Sequence, residues 1–235
     1  MSEKKKNYTK RDVSDFTEGK YKFQLFGRWL VSRTLIPFFY KVKYTGLENI
    51  PQDRNFIVAP NHISYLDPFV AGEAVKKPIA FMGKKELFNN DILAFLLDGL
   101  ACFAVNREKL EVSTIKTAIN VFKTQKWMLG IFPQGGIRRN KKIEKINKGF
   151  AVIAKQMKTD ILPVGITGSE QYNWIPFKGN LKISVGKLIS YNQEIDDIID
   201  EWGRKIAEMN DGYEYIKDNN DNINKKDILN QTVGI

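Results

Sequence analysis

Between residues 55 and 186 short apolar runs alternate with longer amphipathic ones, and this alternation restricts the chain to an α/β architecture. The apolar runs are NFIVAP (55–60), PIAFMG (78–83), ACFAVN (101–106), WMLGIF (127–132), ILPVGI (161–166) and LKISVG (181–186). Each is short and apolar throughout, as strands covered on both faces are. Between them, 108–124 carries Val112, Ile115, Ala118, Ile119 and Phe122 in one stripe at helical spacing. Further helices are expected at 68–76, 149–158 and 194–209. The expected fold is a central, mostly parallel or mixed sheet flanked by helices, preceded by an N-terminal membrane-associating helical segment.

An apolar content of 43% allows one sizeable core. The division expected is a basic mobile tail (1–18), an amphipathic interfacial helical segment (19–45), one α/β domain (46–210) and a polar tail (211–235). With Cys102 and His62 as the only cysteine and histidine, neither an internal disulfide nor a His/Cys metal site is expected, and no bound cofactor is implied. Charge is unevenly spread: residues 1–43 hold eleven Lys/Arg against four Asp/Glu, whereas 194–235 hold five against eleven. A basic front end suits an anionic surface. No signal peptide is expected, and no uncharged run reaches the roughly 18 to 20 apolar residues of a spanning helix.

The segment YKFQLFGRWLVSRTLIPFFYKVKY, from Tyr21, is dense in aromatic and aliphatic residues but interrupted by Lys22, Arg28 and Arg33. It suits a helix lying in a lipid interface, where aromatic rings and long basic side chains are both accommodated. It equally suits a helix packed on its own domain, and the two readings are compatible if each face does one job.

The stretch APNHISYLDP (59–68) places His62 between a strand end and a helix start, with Asp67 expected at the N-cap and Pro68 at the first helical position. Such loops, at the carboxyl ends of strands, are where open α/β sheets hold their sites. A loop can fold Asp67 back toward the imidazole, fixing one ring nitrogen as donor and leaving the other as a general base. The alternative is structural: Asp67 only caps the helix and His62 only satisfies a loop carbonyl.

APNHISYLDP resembles the Asn-His-x-Ser-x-x-Asp signature of the glycerolipid acyltransferases, the family that includes lysophosphatidate acyltransferase. GLENIP (46–51) resembles that family's lead-in, KKEL (84–87) its intervening lysine segment and FAVNRE (103–108) its second block. FPQGGIRR (132–139) falls where the family has Phe-Pro-Glu-Gly-Thr-Arg, and ILPVGITGS (161–169) resembles its fourth block. The resemblance covers roughly residues 46–169. It implies acyl transfer from a thioester of acyl carrier protein or coenzyme A, as co-substrate, to the sn-2 hydroxyl of lysophosphatidate. His62 would take the hydroxyl proton as the oxygen attacks, Asp67 would orient the ring, and Asn61 and Ser64 would support the motif. No G-x-S-x-G elbow accompanies Ser64, so it reads as a local hydrogen-bonding residue. Backbone N–H groups or Lys84 would stabilise the oxyanion, although Lys84 beside its acids also reads as a plain surface residue.

A phosphate-bearing acceptor requires cations and free backbone donors. Residues 138–148 supply six Lys/Arg against one Glu, directly after Gly135 and Gly136, where backbone can approach an anion closely. Three positions depart from the family pattern: Gln134 stands for Glu, Gly136 for Thr and Ile137 for Arg, so Arg138 or Arg139 would take the phosphate. Arg107, between a strand and a helix N-terminus, is a further phosphate candidate, or else a salt-bridge partner of Glu108. The expected partners are membrane lipid and the thioester carrier, with no nucleic acid, at the cytoplasmic face of a membrane. The alternatives are acylation of another lyso-lipid or of glycerol 3-phosphate, and, in a different class, a non-catalytic module binding anionic lipid or nucleic acid.

Overall fold

In the computed structural model the described residues are 7–106, 111–170 and 178–217. Seven strands form one sheet in the order β1-β8-β7-β2-β5-β3-β4. They are β1 (Tyr40–Thr45), β2 (Ile57–Pro60), β3 (Ile79–Lys84), β4 (Phe103–Val105), β5 (Met128–Gly130), β7 (Ile161–Thr167) and β8 (Gly179–Val185). A separate two-stranded ladder joins β6 (Lys142–Ile143) to β9 (Glu214–Tyr215). β2, β3, β4, β5 and β7 run parallel, β8 runs antiparallel to β7, and β1 is parallel to β8. The sheet is thus mostly parallel with two reversed strands, and all six apolar runs hold a strand.

The helices are α1 (Glu18–Leu30), α2 (Ile36–Phe39), α3 (Asp67–Val75), α4 (Asp91–Gly99), α5 (Val112–Lys123), α6 (Gly149–Met157) and α7 (Ile195–Met209), with a π-helical turn, Val31–Leu35, linking α1 to α2. β2 is buried at all four positions, and successive residues feed opposite cores, as the two-residue pleat requires. Phe56 and Val58 pack with Val70, Ala71, Ala74 and Val75 around α3, whereas Ile57 and Ala59 pack with α5, α6 and α7 through Val121, Phe150 and Trp202. Trp202 is fully buried, lies 5.9 Å from the Phe150 ring, and donates its indole N–H to Ala59 O at 2.9 Å. That bond satisfies a carbonyl at the end of β2, one turn before His62.

Three expectations need correction. The interfacial segment is helical only to Phe39: Tyr40–Thr45 is a strand, because Lys41 and Lys43 stay exposed while Tyr40 is buried and its backbone pairs with β8 along an edge. The 1–18 tail is not loose over its described part. Tyr8 O accepts from Ala104 N at 2.8 Å, and Arg11, 3% exposed, is ion-paired with Asp98 of α4, which Lys20 also reaches at 2.9 Å. A guanidinium buried this deeply requires such a partner. At the other end, Glu214–Tyr215 packs as β9 instead of belonging to a free tail.

α1 turns polar residues toward the domain. Gln24 donates to Ile79 O and Leu100 O and accepts from Ile79 N, while Arg28 reaches Gly72 O at 3.3 Å and Glu73 at 3.7 Å. Phe26, Trp29 and Leu30 face outward. Among the described residues no helix is long and apolar enough to cross a membrane.

Trp202→Ala should lower unfolding free energy by about 3–5 kcal/mol through lost burial and the residual cavity. Trp202→Phe should cost less, about 0.5–1.5 kcal/mol, by removing one hydrogen bond to the Ala59 carbonyl, with urea denaturation separating the two.

Candidate active site

The site stands at the carboxyl edge of the parallel strands. β2 ends at Pro60, and Asn61 prolongs its pairing with β7 through its side chain: Nδ2 donates to Ile166 O at 2.9 Å and Oδ1 accepts from Ile166 N at 2.7 Å. The chain then turns through Ile63 and Ser64 into α3. Asp67 opens α3 with Leu66 as its N-cap, so the expected N-cap role of Asp67 is corrected. Its carboxylate points back along the chain instead. Oδ2 accepts from His62 Nδ1 at 2.9 Å, Ile63 N at 2.6 Å and Ser64 N at 2.8 Å, and Oδ1 accepts from Ser169 Oγ at 2.6 Å. Asp67 is 0% exposed and the His62 side chain 12%.

Buried without these donors, a carboxylate would be strongly destabilised or forced to protonate. With Nδ1 donating to Asp67, Nε2 carries the ring's lone pair. Phe132 stacks on the His62 ring at 4.0 Å between centroids, and Phe81 stacks on Phe132 at 5.2 Å, so an aromatic ladder holds one face of the imidazole. An oriented, partly exposed imidazole backed by a buried carboxylate can accept a proton from a hydroxyl and return it to a leaving group.

The loop after β5 lies against this pair. Gly135 sits at φ +65°, a left-handed conformation, and a Cβ there would come 2.3 Å from Asn147 Nδ2. Asn147 N donates to Pro133 O at 2.8 Å, and Gly136 follows in the same turn. Arg138 N donates to His62 O at 2.7 Å and Arg139 Nε to Ile63 O at 3.1 Å, so both arginines are anchored under the histidine loop. The Arg138 side chain is exposed, whereas the Arg139 guanidinium already spends one donor on the protein. Gln134 is 3% exposed and donates to Lys142 O at 3.3 Å; it supports the basic strap from beneath. Ser64 accepts from Leu66 N through its hydroxyl, a local bond within the loop.

Lys84 ends β3, two strands from β2, half exposed and 3.8 Å from Glu86. Nothing in these contacts ties it to the His62–Asp67 pair. Arg107 lies outside the described residues. Sequence reasoning missed Ser169, Phe132 and Phe81. The signal for Ser169 was its place at the end of ILPVGITGS, just beyond the strand that pairs with β2. Cys102 is buried, and that burial pushes its thiol up to about 12, which removes it from chemistry near neutral pH.

The family model described as Acyltransferase matches residues 41–167, more than half of the chain. This chain belongs to the acyltransferase family. A 1-acyl-sn-glycerol-3-phosphate acyltransferase of Streptococcus pneumoniae is 36% identical over 192 residues, which cover 81% of this chain and 71% of that protein. Another of that name from Bacillus subtilis is 31% identical over 147 residues, 62% of this chain and 72% of the relative. The crystal structure of the 1-acyl-sn-glycerophosphate (LPA) acyltransferase from Thermotoga maritima superposes with TM-score 0.60 at 22% identity, covering 83% of this chain and 81% of that one, and supports the α/β fold. The enzyme is therefore an acyltransferase built on a mostly parallel sheet.

Asp67→Asn should lower turnover roughly a thousandfold, because an amide cannot accept from all the donors now aimed at the carboxylate and no longer stabilises imidazolium. Steady-state acyl transfer at saturating substrate checks it, with circular dichroism verifying the fold.

Proposed function

We propose that the enzyme moves an acyl group from a thioester to the sn-2 hydroxyl of lysophosphatidate, giving phosphatidate. The observation that carries this reading is the His62 Nδ1–Asp67 Oδ2 bond of 2.9 Å on a buried carboxylate, at the sheet edge where Arg138 is anchored. His62 Nε2 removes the acceptor hydroxyl proton as that oxygen attacks the thioester carbonyl. Proton removal accompanies attack, because a neutral imidazole is far too weak a base to generate a free alkoxide beforehand. Collapse of the tetrahedral intermediate breaks the C–S bond, and the imidazolium returns the proton to the thiolate. No acyl-enzyme forms, so Ser64 needs no nucleophilic role. The names of the relatives from Streptococcus pneumoniae and Bacillus subtilis support lysophosphatidate as acceptor.

Arg138 is the phosphate-binding side chain in this reading, with Gly135 and Gly136 allowing close backbone approach and Arg139 adding positive charge. Lys84 is kept as a second source of positive charge at the sheet edge. The buried Gln134 and the displaced arginine favour testing glycerol 3-phosphate and other lyso-lipids beside lysophosphatidate. The donor is a thioester of acyl carrier protein or coenzyme A, and the two are offered separately.

The enzyme works at a membrane surface in this reading, on the cytoplasmic side. Support comes from α1, which turns the partly buried Gln24 and Arg28 onto the domain and exposes Phe26 and Trp29 (59% and 56%), and from α4, where Ile92 and Phe95 are 76% and 73% exposed. Contiguous exposed aromatic and aliphatic side chains beside Lys22 and Arg33 suit an anionic headgroup boundary.

His62→Ala should cut turnover by about two to four orders of magnitude while leaving vesicle binding intact. Full activity in this variant would exclude His62 as base, and clear preference for a phosphate-free acceptor would sink the phosphatidate reading. Phe26→Asp combined with Phe95→Asp should release the protein from anionic vesicles in flotation, while hydrolysis or transfer on a soluble short-chain thioester continues.

A further inference from the structure

We propose that Ser169 is a positioning residue for the proton-transferring pair, its hydroxyl fixing the outer oxygen of Asp67 and limiting how strongly that carboxylate holds an imidazolium at His62. This rests on the assignment of His62 as the base.

The geometry separates the two carboxylate oxygens. Oδ2 is held by the histidine loop itself, through His62 Nδ1, Ile63 N and Ser64 N, all within five residues of Asp67. Oδ1 receives the Ser169 hydroxyl at 2.6 Å, from a residue 102 positions away at the end of β7. Ser169 is 0% exposed, so water does not readily replace it. Its own backbone is anchored: Tyr40 OH donates to Ser169 O at 3.2 Å, and Tyr40 is itself 3% exposed at the start of β1. Gly168 precedes it at φ +90°, where a Cβ would lie 1.8 Å from Asn180 O, so the turn that aims Ser169 admits no side chain at that position.

A short hydrogen bond to a carboxylate withdraws charge from it. The Ser169 donor thereby tempers the charge with which Asp67 can hold an imidazolium at His62. Without it, the loop amides still seat Oδ2, the uncompensated charge on Oδ1 grows, and His62 holds its proton to higher pH. Among the described residues the following charged, titratable and polar groups face the pair or its neighbours. Glu170 and Asp67 lie near Tyr213, whose hydroxyl is raised by burial first and by those two charges second. Arg139 meets Ile63 O, Arg138 meets His62 O through its backbone, and Asn61 and Asn210 are neutral. Among the described residues none of them donates to Oδ1, so Ser169 is the group whose removal changes that oxygen.

Because His62 is the only histidine, its ring protons give a single titrating imidazole signal in NMR. The experiment titrates wild type, Ser169→Ala, Ser169→Thr and Tyr40→Phe by that signal, and measures kcat and KM for acyl transfer against pH on the same proteins. In Ser169→Ala the His62 midpoint should move up by about half a unit or more. The acid limb of kcat should follow it, with KM changed less than about twofold and activity recovering at alkaline pH. Ser169→Thr, which keeps the hydroxyl, should titrate as wild type, and Tyr40→Phe should move the midpoint in the same direction by less. A purely structural serine would lower thermal stability without moving the midpoint. An unchanged or lowered midpoint in a folded Ser169→Ala protein overturns the proposal; if that variant does not fold, an unchanged midpoint in Tyr40→Phe does so. The titration needs no substrate, so failure of wild type to acylate lysophosphatidate would count against the acceptor assignment and leave this test standing.

Discussion

A fully buried carboxylate, Asp67, is the group around which the site is arranged. Charge taken out of water must be compensated by donors at close range, and among the described residues Asp67 receives four, three from its own loop and one from the end of β7. That requirement ties the turn after β2 to the turn after β7, and Asn61 and Tyr40 tighten the same junction through Ile166 and Ser169. The histidine is oriented as a consequence, and no rigid helix is needed to hold both partners.

The parallel sheet delivers the rest. β2 and β5 are neighbours, so the loops that follow them meet, and Phe132 lands on the His62 ring while Arg138 and Arg139 bind carbonyls of the histidine loop. A basic strap in sequence becomes a basic wall beside the hydrogen-bonded His62–Asp67 pair. Gln134 shows the limit of reading such a loop by position alone: it is turned inward to the strap's backbone, while Arg138 and Arg139 stay exposed.

The N-terminal segment reverses the ordinary sense of amphipathicity. α1 sits on the domain through Gln24, Lys20 and Arg28, whose polar groups reach the Ile79, Leu100 and Gly72 carbonyls and Glu73 or Asp98, and presents Phe26 and Trp29 outward. Periodicity locates such a stripe but does not say which face is inside. The same ambiguity hid α4: within NNDILAFLLDGL the run Ile92–Leu97 is apolar throughout and shows no polar face, so Asn90, whose side chain accepts from Leu93 N, marks the helix start. β1 was hidden for a different reason, since YKVKYT is an edge strand with lysines outward, joined to an aromatic run that reads as helix.

What the sequence determined by itself was the set of buried strands, because parallel strands covered on both faces must be apolar without interruption, and the candidate pair of His62 and Asp67, because there is one histidine and a carboxylate follows it at loop distance. Tertiary structure decided what Asp67 does, since nothing local distinguishes a helix-capping carboxylate from one folded back onto an imidazole. It also decided which distant residue completes that carboxylate. Ser169 is 102 residues from Asp67, and only the pairing of β2 with β7 brings its hydroxyl to the remaining oxygen.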